Sequence, residues 1–79
     1  MENRTGELVR RVLELVSLTE VAAGTGRGYS TLQAYKAGTR NPSSAAAREI
    51  AAYLRDRAEE FSEIADALEA AADERSLGG

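Results

Sequence analysis

The side chains that perform most enzymatic chemistry are missing from this sequence. Its 79 residues include no His and no Cys, which excludes histidine general bases, thiol nucleophiles, disulfides and zinc fingers. Catalysis would have to rest on carboxylates, Lys36, Ser or Tyr. Most of the carboxylates fall on one long predicted helix, which offers no water-excluding pocket. We therefore expect neither an enzyme nor a metal or cofactor site.

The charged groups are divided unevenly along the chain. The net charge is −3, but residues 1–48 carry seven basic and four acidic groups, whereas residues 49–79 carry three basic and nine acidic groups. Charges further apart than a Debye length of about 8 Å are largely screened from one another, so the local sign matters more than the total. The acidic total therefore does not exclude nucleic acid as a partner of the N-terminal half. The acidic half is typical of a solvated helix face.

Four to five helices are expected, and no strand. Ala, Leu, Glu and Arg dominate and no stretch alternates with period two, which indicates an all-α fold. The first helix is predicted over about 7–16, with Thr5 as its N-cap. Ser17 and Glu20 have capping-box spacing and open a second helix, which the glycines at 24, 26 and 28 end within about two turns.

The third and fourth helices are separated by a loop. The third is predicted over 29–37 and ends at Gly38 in a left-handed conformation, and Pro42 keeps the following loop from being helical. Ser43 or Ser44 then caps a fourth helix that meets no Gly or Pro before Gly78. Unbroken, it would be about 45 Å long, which is more than a domain of this size can cover.

The segment 18–43 has the spacing of a known DNA-binding motif. Ala22 is small, Gly26 follows four residues later, and Leu32 and Tyr35 are placed to tie one helix to the next. The run Gly-Thr-Arg-Asn-Pro-Ser at 38–43 follows. Together these residues resemble the lambda-repressor-like (XRE, or Cro/C1-type) helix-turn-helix family, and the resemblance covers about residues 7–55.

The sequence departs from the family pattern at three positions. Arg27 stands after the turn glycine, where an apolar residue is usual. Gly28 replaces the usual polar cap of the recognition helix, and Lys36 stands where an acidic residue is common. We interpret Lys36 as a charge available to phosphate.

The resemblance implies that the helix over 29–37 lies in the major groove of a palindromic operator. Carried over position by position, it makes Gln33 a reader of adenine and Ala34 a contact for a thymine methyl group. The four base-facing positions are Tyr29, Ser30, Gln33 and Ala34. The phosphate-contacting positions are Thr19, Arg27, Lys36, Thr39 and Arg40. Arg10 and Arg11 on the first helix are either further phosphate contacts or solvated charges.

A heptad pattern continues beyond the motif. Leu54, Phe61 and Leu68 are seven residues apart, and a second row contains Ile64, with Arg57 as its one misfit. A straight helix would place these side chains beyond the reach of a small globule, so they require a second chain or a bend near residues 55–57. The predicted dimer interface is Leu54, Phe61, Ile64 and Leu68. Residues 1–55 would then be the DNA-binding domain and residues 56–79 an acidic helix for dimerisation, whether parallel, antiparallel or bent.

Two classes of function remain after this reading. The first is a small homodimeric transcriptional regulator, a repressor that binds double-stranded DNA at half-sites about one helical turn apart. The second is an antitoxin-like or adaptor module whose acidic helix binds a protein partner. Charged residues interrupt the apolar stretch near the N-terminus, so neither a signal peptide nor a membrane span is expected. We expect a cytoplasmic, nucleoid-associated protein of bacterial, phage or plasmid origin.

Overall fold

Four helices make up the structure, a computed structural model that describes the backbone of residues 4–78 and the side chains of residues 4–74. No strand occurs in the described part, which confirms the all-α prediction. None of these helices combines the length and the apolar character needed to cross a membrane. The helices are α1 (Arg4–Leu15), α2 (Leu18–Thr25), α3 (Tyr29–Ala37) and α4 (Ser44–Gly78).

The ends of the helices follow the sequence signals with one exception. The Ser17 hydroxyl accepts a hydrogen bond from the Glu20 N–H at 3.1 Å, so Ser17 is the N-cap of α2. The Ser43 hydroxyl accepts from the Ala46 N–H at 3.1 Å, which makes Ser43 rather than Ser44 the residue that caps α4. The prediction of Thr5 as an N-cap is wrong. Because α1 already begins at Arg4, Thr5 lies inside its first turn.

A small core joins all four helices. Leu32 and Tyr35 of α3 pack on α1 and α2, with Leu32 completely buried. α4 closes the other side of the core through its first turns, where it packs on α1 and α2. The buried core residues are Val9, Leu13, Val21, Leu32, Tyr35, Ala46 and Ile50.

Gly24 allows α2 and α4 to approach one another closely. It lies inside α2 and not at its end. A Cβ atom at this position would lie only 2.2 Å from the Tyr53 Cδ1 atom, well inside van der Waals contact. The half-buried Tyr53 ring therefore occupies the space that any other residue at position 24 would fill.

Helix α4 leaves the globule after its first half. It runs for 35 residues without a break, so the bend near residues 55–57 that would fold it back is absent. Arg57 is the last side chain that is even half-buried, and every residue from 58 to 74 is exposed. The molecule is accordingly elongated, with extents of 58 × 24 × 19 Å. We call residues 58–74 the arm.

Candidate nucleic-acid interface

Hydrogen bonds within the turn fix how α3 is held against α2. Gly26 adopts a left-handed conformation (φ 75°), which favours glycine, and its N–H donates to the Ala22 carbonyl at 2.9 Å. The Thr25 hydroxyl donates to the Val21 carbonyl at 2.7 Å and accepts from the Arg27 N–H at 3.3 Å. The chain that leads into α3 is thus tied to the last turn of α2.

One face of α3 is buried and the opposite face is open to solvent. Leu32 and Tyr35 point into the core, while Ser30 and Gln33 are exposed and Tyr29 is 50% exposed. These three polar side chains lie on adjoining parts of the outer face, because α-helical residues three and four apart are neighbours. The structure therefore presents donors and acceptors together along the start of the helix.

Two alanines modify the predicted base-facing set. Ala34 is half-buried and lies at the edge of the outer face. Its side chain is therefore less accessible than those at the other three predicted positions. Ala37, which sequence reasoning did not name, is exposed and lies one turn beyond Gln33. The signal that could have identified it is its helical spacing from Ser30 and Gln33.

Arg27 is paired within the chain. Its Nε donates to the Glu49 carboxylate of α4 at 2.6 Å, with the two side chains 27% and 48% exposed. This contact uses one of the five guanidinium N–H groups, which leaves those on the two Nη atoms for another acceptor. Glu49 was not foreseen, since the two residues are 22 positions apart in the sequence.

Three of the predicted phosphate-contacting residues lie at the exit from α3, and they differ in whether their polar groups already have a partner within the chain. Lys36 and Arg40 are exposed and form no ion pair with another described residue. The Thr39 hydroxyl donates to the Ala34 carbonyl at 3.3 Å, and its one proton is therefore engaged. The Thr39 and Arg40 N–H groups also converge on the Ala34 carbonyl, at 3.0 and 3.3 Å. This closes the C-terminus of α3 and fixes the first residues of the loop.

Arg10 of α1 also approaches the end of α3. A Cβ built on Gly38, which has φ 81°, would lie 3.5 Å from the Arg10 Nη2 atom. The guanidinium group therefore stands beside the C-terminus of α3, where a positive charge is favoured by the helix dipole. No local pattern in the sequence indicates this contact, because it depends on how α1 crosses α3.

Thr19 lies at the other proposed anion position, the start of α2. It is exposed, and the first N–H groups of a helix have no partner within the helix. Ser17 accepts the N–H of Glu20, and the Glu20 side chain places a negative charge in the same turn. The start of α2 is therefore a less positive site than the exit of α3.

The motif and the arm carry charges of opposite sign. Residues 27–43 contain three basic groups and no acidic one, whereas the arm contains seven acidic groups and no basic one. An anionic polymer is therefore attracted to the α3 end of the molecule and repelled by the arm.

The arm carries the predicted dimer residues in exposed positions. Phe61, Ile64 and Leu68 are 58%, 56% and 65% exposed, while Leu54 is half-buried against the core. Arg57 stacks on the Phe61 ring, 5.0 Å from its centroid, and donates to the Glu60 carboxylate at 3.2 Å. An apolar groove of about 250 Å³ lies where the arm begins, between Leu15 and Val16 on one side and Leu54 and Phe61 on the other.

No family model, curated protein or solved structure matches this chain. A functional interpretation therefore rests on the residues and their geometry alone. Among residues 4–78, no group of three or more potential ligands is arranged to hold a metal ion.

Proposed function

We propose that this chain is a sequence-specific double-stranded DNA-binding protein of the lambda-repressor-like helix-turn-helix type, acting as a small dimeric transcriptional repressor. The observation that carries the proposal is the open face of α3. Tyr29, Ser30 and Gln33 project from a helix whose other face is locked into the core. A helix of this kind fits the major groove, where exposed polar side chains can contact base edges.

Cations around α3 supply the attraction to the phosphate backbone. Arg40 and Lys36 have no acidic partner in the described chain, and Arg27 retains the N–H groups of its two Nη atoms. Such contacts position a protein on DNA without reading its sequence. Thr39 contributes less as a hydroxyl donor, because its proton is used by the Ala34 carbonyl.

A homodimer supplies the second half of the binding surface. One α3 helix buries little surface on DNA, whereas a two-fold pair doubles the contacts and reads a palindrome. The unpartnered Phe61, Ile64 and Leu68 supply an apolar surface for this pairing. Binding would repress transcription by occupying a promoter-proximal site.

The salt dependence of binding to duplex DNA tests this proposal. Each phosphate contact contributes about −0.9 to the slope of log K against log salt concentration. We expect Arg40→Ala to weaken binding to all sequences alike and to reduce the magnitude of the slope by about one. Arg48→Ala is the matched control, because Arg48 is exposed on α4 outside the segment 27–43.

Fluorescence anisotropy with labelled duplexes at several salt concentrations measures both effects. The absence of binding to any duplex at low salt would contradict the proposal and favour the adaptor function. An equal loss of affinity for DNA in Arg40→Ala and Arg48→Ala would show that Arg40, at the exit of α3, contacts DNA no more closely than Arg48 does.

A further inference from the structure

One face of α4 changes from buried to exposed along its length. At 3.6 residues per turn, Ile50, Phe61 and Leu68 project in nearly the same direction from the helix. Ile50 is only 2% exposed because it packs in the core, whereas the other two are more than half exposed. The stripe that binds the globule at the start of α4 therefore continues along the arm with nothing to cover it.

This continuity restricts how a second arm can be placed. In a parallel, in-register pair the two stripes would face each other along their whole length. Each globule packs on the stripe side of its own α4, so both globules would have to occupy the same space between the two helices. An antiparallel pair avoids this conflict, because each globule then lies beyond the tip of the other arm.

Arg57 favours the same orientation. It occupies the row that contains Ile64, where a parallel pair would bring it against Arg57 of the partner subunit. Two like charges held together at a helix interface are destabilising. In an antiparallel pair centred on the stretch from Phe61 to Leu68, the two arginines instead lie about 20–25 Å apart along the arms, which removes this repulsion.

The residues beside the stripe indicate a second copy of this chain as the occupant. Alanines at 58, 65 and 72 adjoin it, and small residues there allow two helices to approach closely. Most acidic side chains, including Glu59, Asp66 and Asp73, lie towards the back of the helix. A basic partner docked on the stripe would therefore meet few of the acidic groups expected to attract it.

We infer that two arms pair antiparallel through Phe61, Ile64 and Leu68, with the two globules at opposite ends of the dimer. This inference rests on the homodimer of the proposed function and specifies its geometry. The two-fold axis then passes close to residue 65. At 1.5 Å per residue, the α3 helices are separated by roughly 50 Å along the arms.

This separation changes the expected operator. It exceeds the one-turn spacing of about 34 Å at which many helix-turn-helix dimers bind. The two half-sites are therefore further apart than one helical turn. Binding to duplexes that differ only in half-site spacing would show the preference directly.

Disulfide formation between single-cysteine variants tests the arrangement in the full chain without DNA. The sequence has no Cys, so each variant carries one thiol at a known position. Ala58→Cys is mixed with Ala72→Cys, oxidised at low protein concentration and analysed by mass spectrometry. Antiparallel arms with their axis near residue 65 join residue 58 of one chain to residue 72 of the other, and neither Ala58→Cys nor Ala72→Cys pairs with itself. Ala70→Cys, on the back of the helix, is the control and is expected to remain reduced.

The other outcomes overturn the inference. Rapid pairing of Ala58→Cys with itself and of Ala72→Cys with itself would show parallel arms. No disulfide above the level of the Ala70→Cys control would show that the arms do not pair. Because DNA is absent, a specific 58–72 disulfide supports this geometry even if the DNA-binding proposal fails. Loss of all disulfides leaves the Arg40→Ala experiment as an independent test of DNA binding.

Discussion

Individual cations around α3 differ in how freely they can reach a phosphate. Arg40 is exposed near the start of the loop that follows α3, whereas Arg27 shares its charge with Glu49. An ion pair between partly exposed side chains is worth at most about 1 kcal/mol, so Arg27 can turn towards DNA at little cost. In the proposed complex Arg40 therefore contributes more to the attraction than Arg27.

In the proposed complex, Gln33 is the residue on which sequence specificity depends most directly. Its exposed amide can donate one hydrogen bond to adenine and accept another. We expect Gln33→Ala to reduce the preference at one base pair by about 1–3 kcal/mol while leaving binding to unrelated DNA unchanged. Competition between duplexes that differ at single base pairs measures this preference.

The matched control for this change is Ser62→Ala, an exposed position on the arm. A uniform loss of affinity for every sequence in Gln33→Ala would show that Gln33 contacts the backbone and not a base.

At the level of the helices, the crossing of α2 and α4 sets the frame in which α3 is held. Gly24 and Tyr53 meet at this crossing with no room for a Cβ atom at position 24. Gly24→Ala forces the Tyr53 ring or α4 to move, and overpacking of this kind costs about 1–3 kcal/mol. Alanine has a higher helix propensity than glycine, which offsets about 1 kcal/mol of this cost. Because the built Cβ overlaps two atoms of the Tyr53 ring, we place the cost in the upper half of that range and expect a net loss of about 1–2 kcal/mol in the free energy of unfolding, measured by urea denaturation.

Gly28→Ser provides the contrasting change. Gly28 is the N-cap of α3 with φ −65° and ψ 142°, and its nearest side-chain neighbour, the Thr31 hydroxyl, is 3.9 Å from a built Cβ. A serine fits there and can cap the helix, so stability should rise by a few tenths of a kcal/mol. Destabilisation by Gly28→Ser, or none by Gly24→Ala, would contradict the packing described at these two positions.

Local signals in the sequence were sufficient for most helix boundaries. Ser17, Gly26 and Gly38 act on their own neighbours, so α2 and α3 could be delimited from the sequence. The start of α1 could not, because Thr5 is compatible with both a cap and a first helical turn. The Tyr53 contact of Gly24 and the pairing of Arg27 with Glu49 depend on how distant helices cross, which no local spacing specifies.

The same distinction applies to the candidate interface. The outer face of α3 follows from helical periodicity once Leu32 and Tyr35 are recognised as buried. The approach of Arg10 to Gly38 and the engagement of the Thr39 hydroxyl required the packed structure. The seven-residue spacing predicted the apolar stripe, but its direction relative to the globule emerged only from the burial of Ile50.

At the scale of the whole molecule, the arm is separate from the core and exposes its apolar residues. Ile64 is 56% exposed, so Ile64→Glu should leave the thermal unfolding of the globule unchanged. Two such glutamates would be buried in the proposed interface, and the dimer should dissociate. Sedimentation equilibrium measures the change in mass, and affinity for a palindromic duplex should fall with it.

Ala70→Glu adds the same charge to the back of the helix and serves as the control. If Ile64→Glu and Ala70→Glu have the same mass and the same affinity for DNA, the stripe is not the dimer interface.

Selection of bound duplexes from a random DNA pool tests the central claim, that α3 reads the major groove of double-stranded DNA. The full chain should enrich a two-fold palindrome whose half-sites each carry an adenine that Gln33→Ala no longer requires. A pool that remains random after repeated rounds, or that retains no DNA at low salt, would contradict the claim.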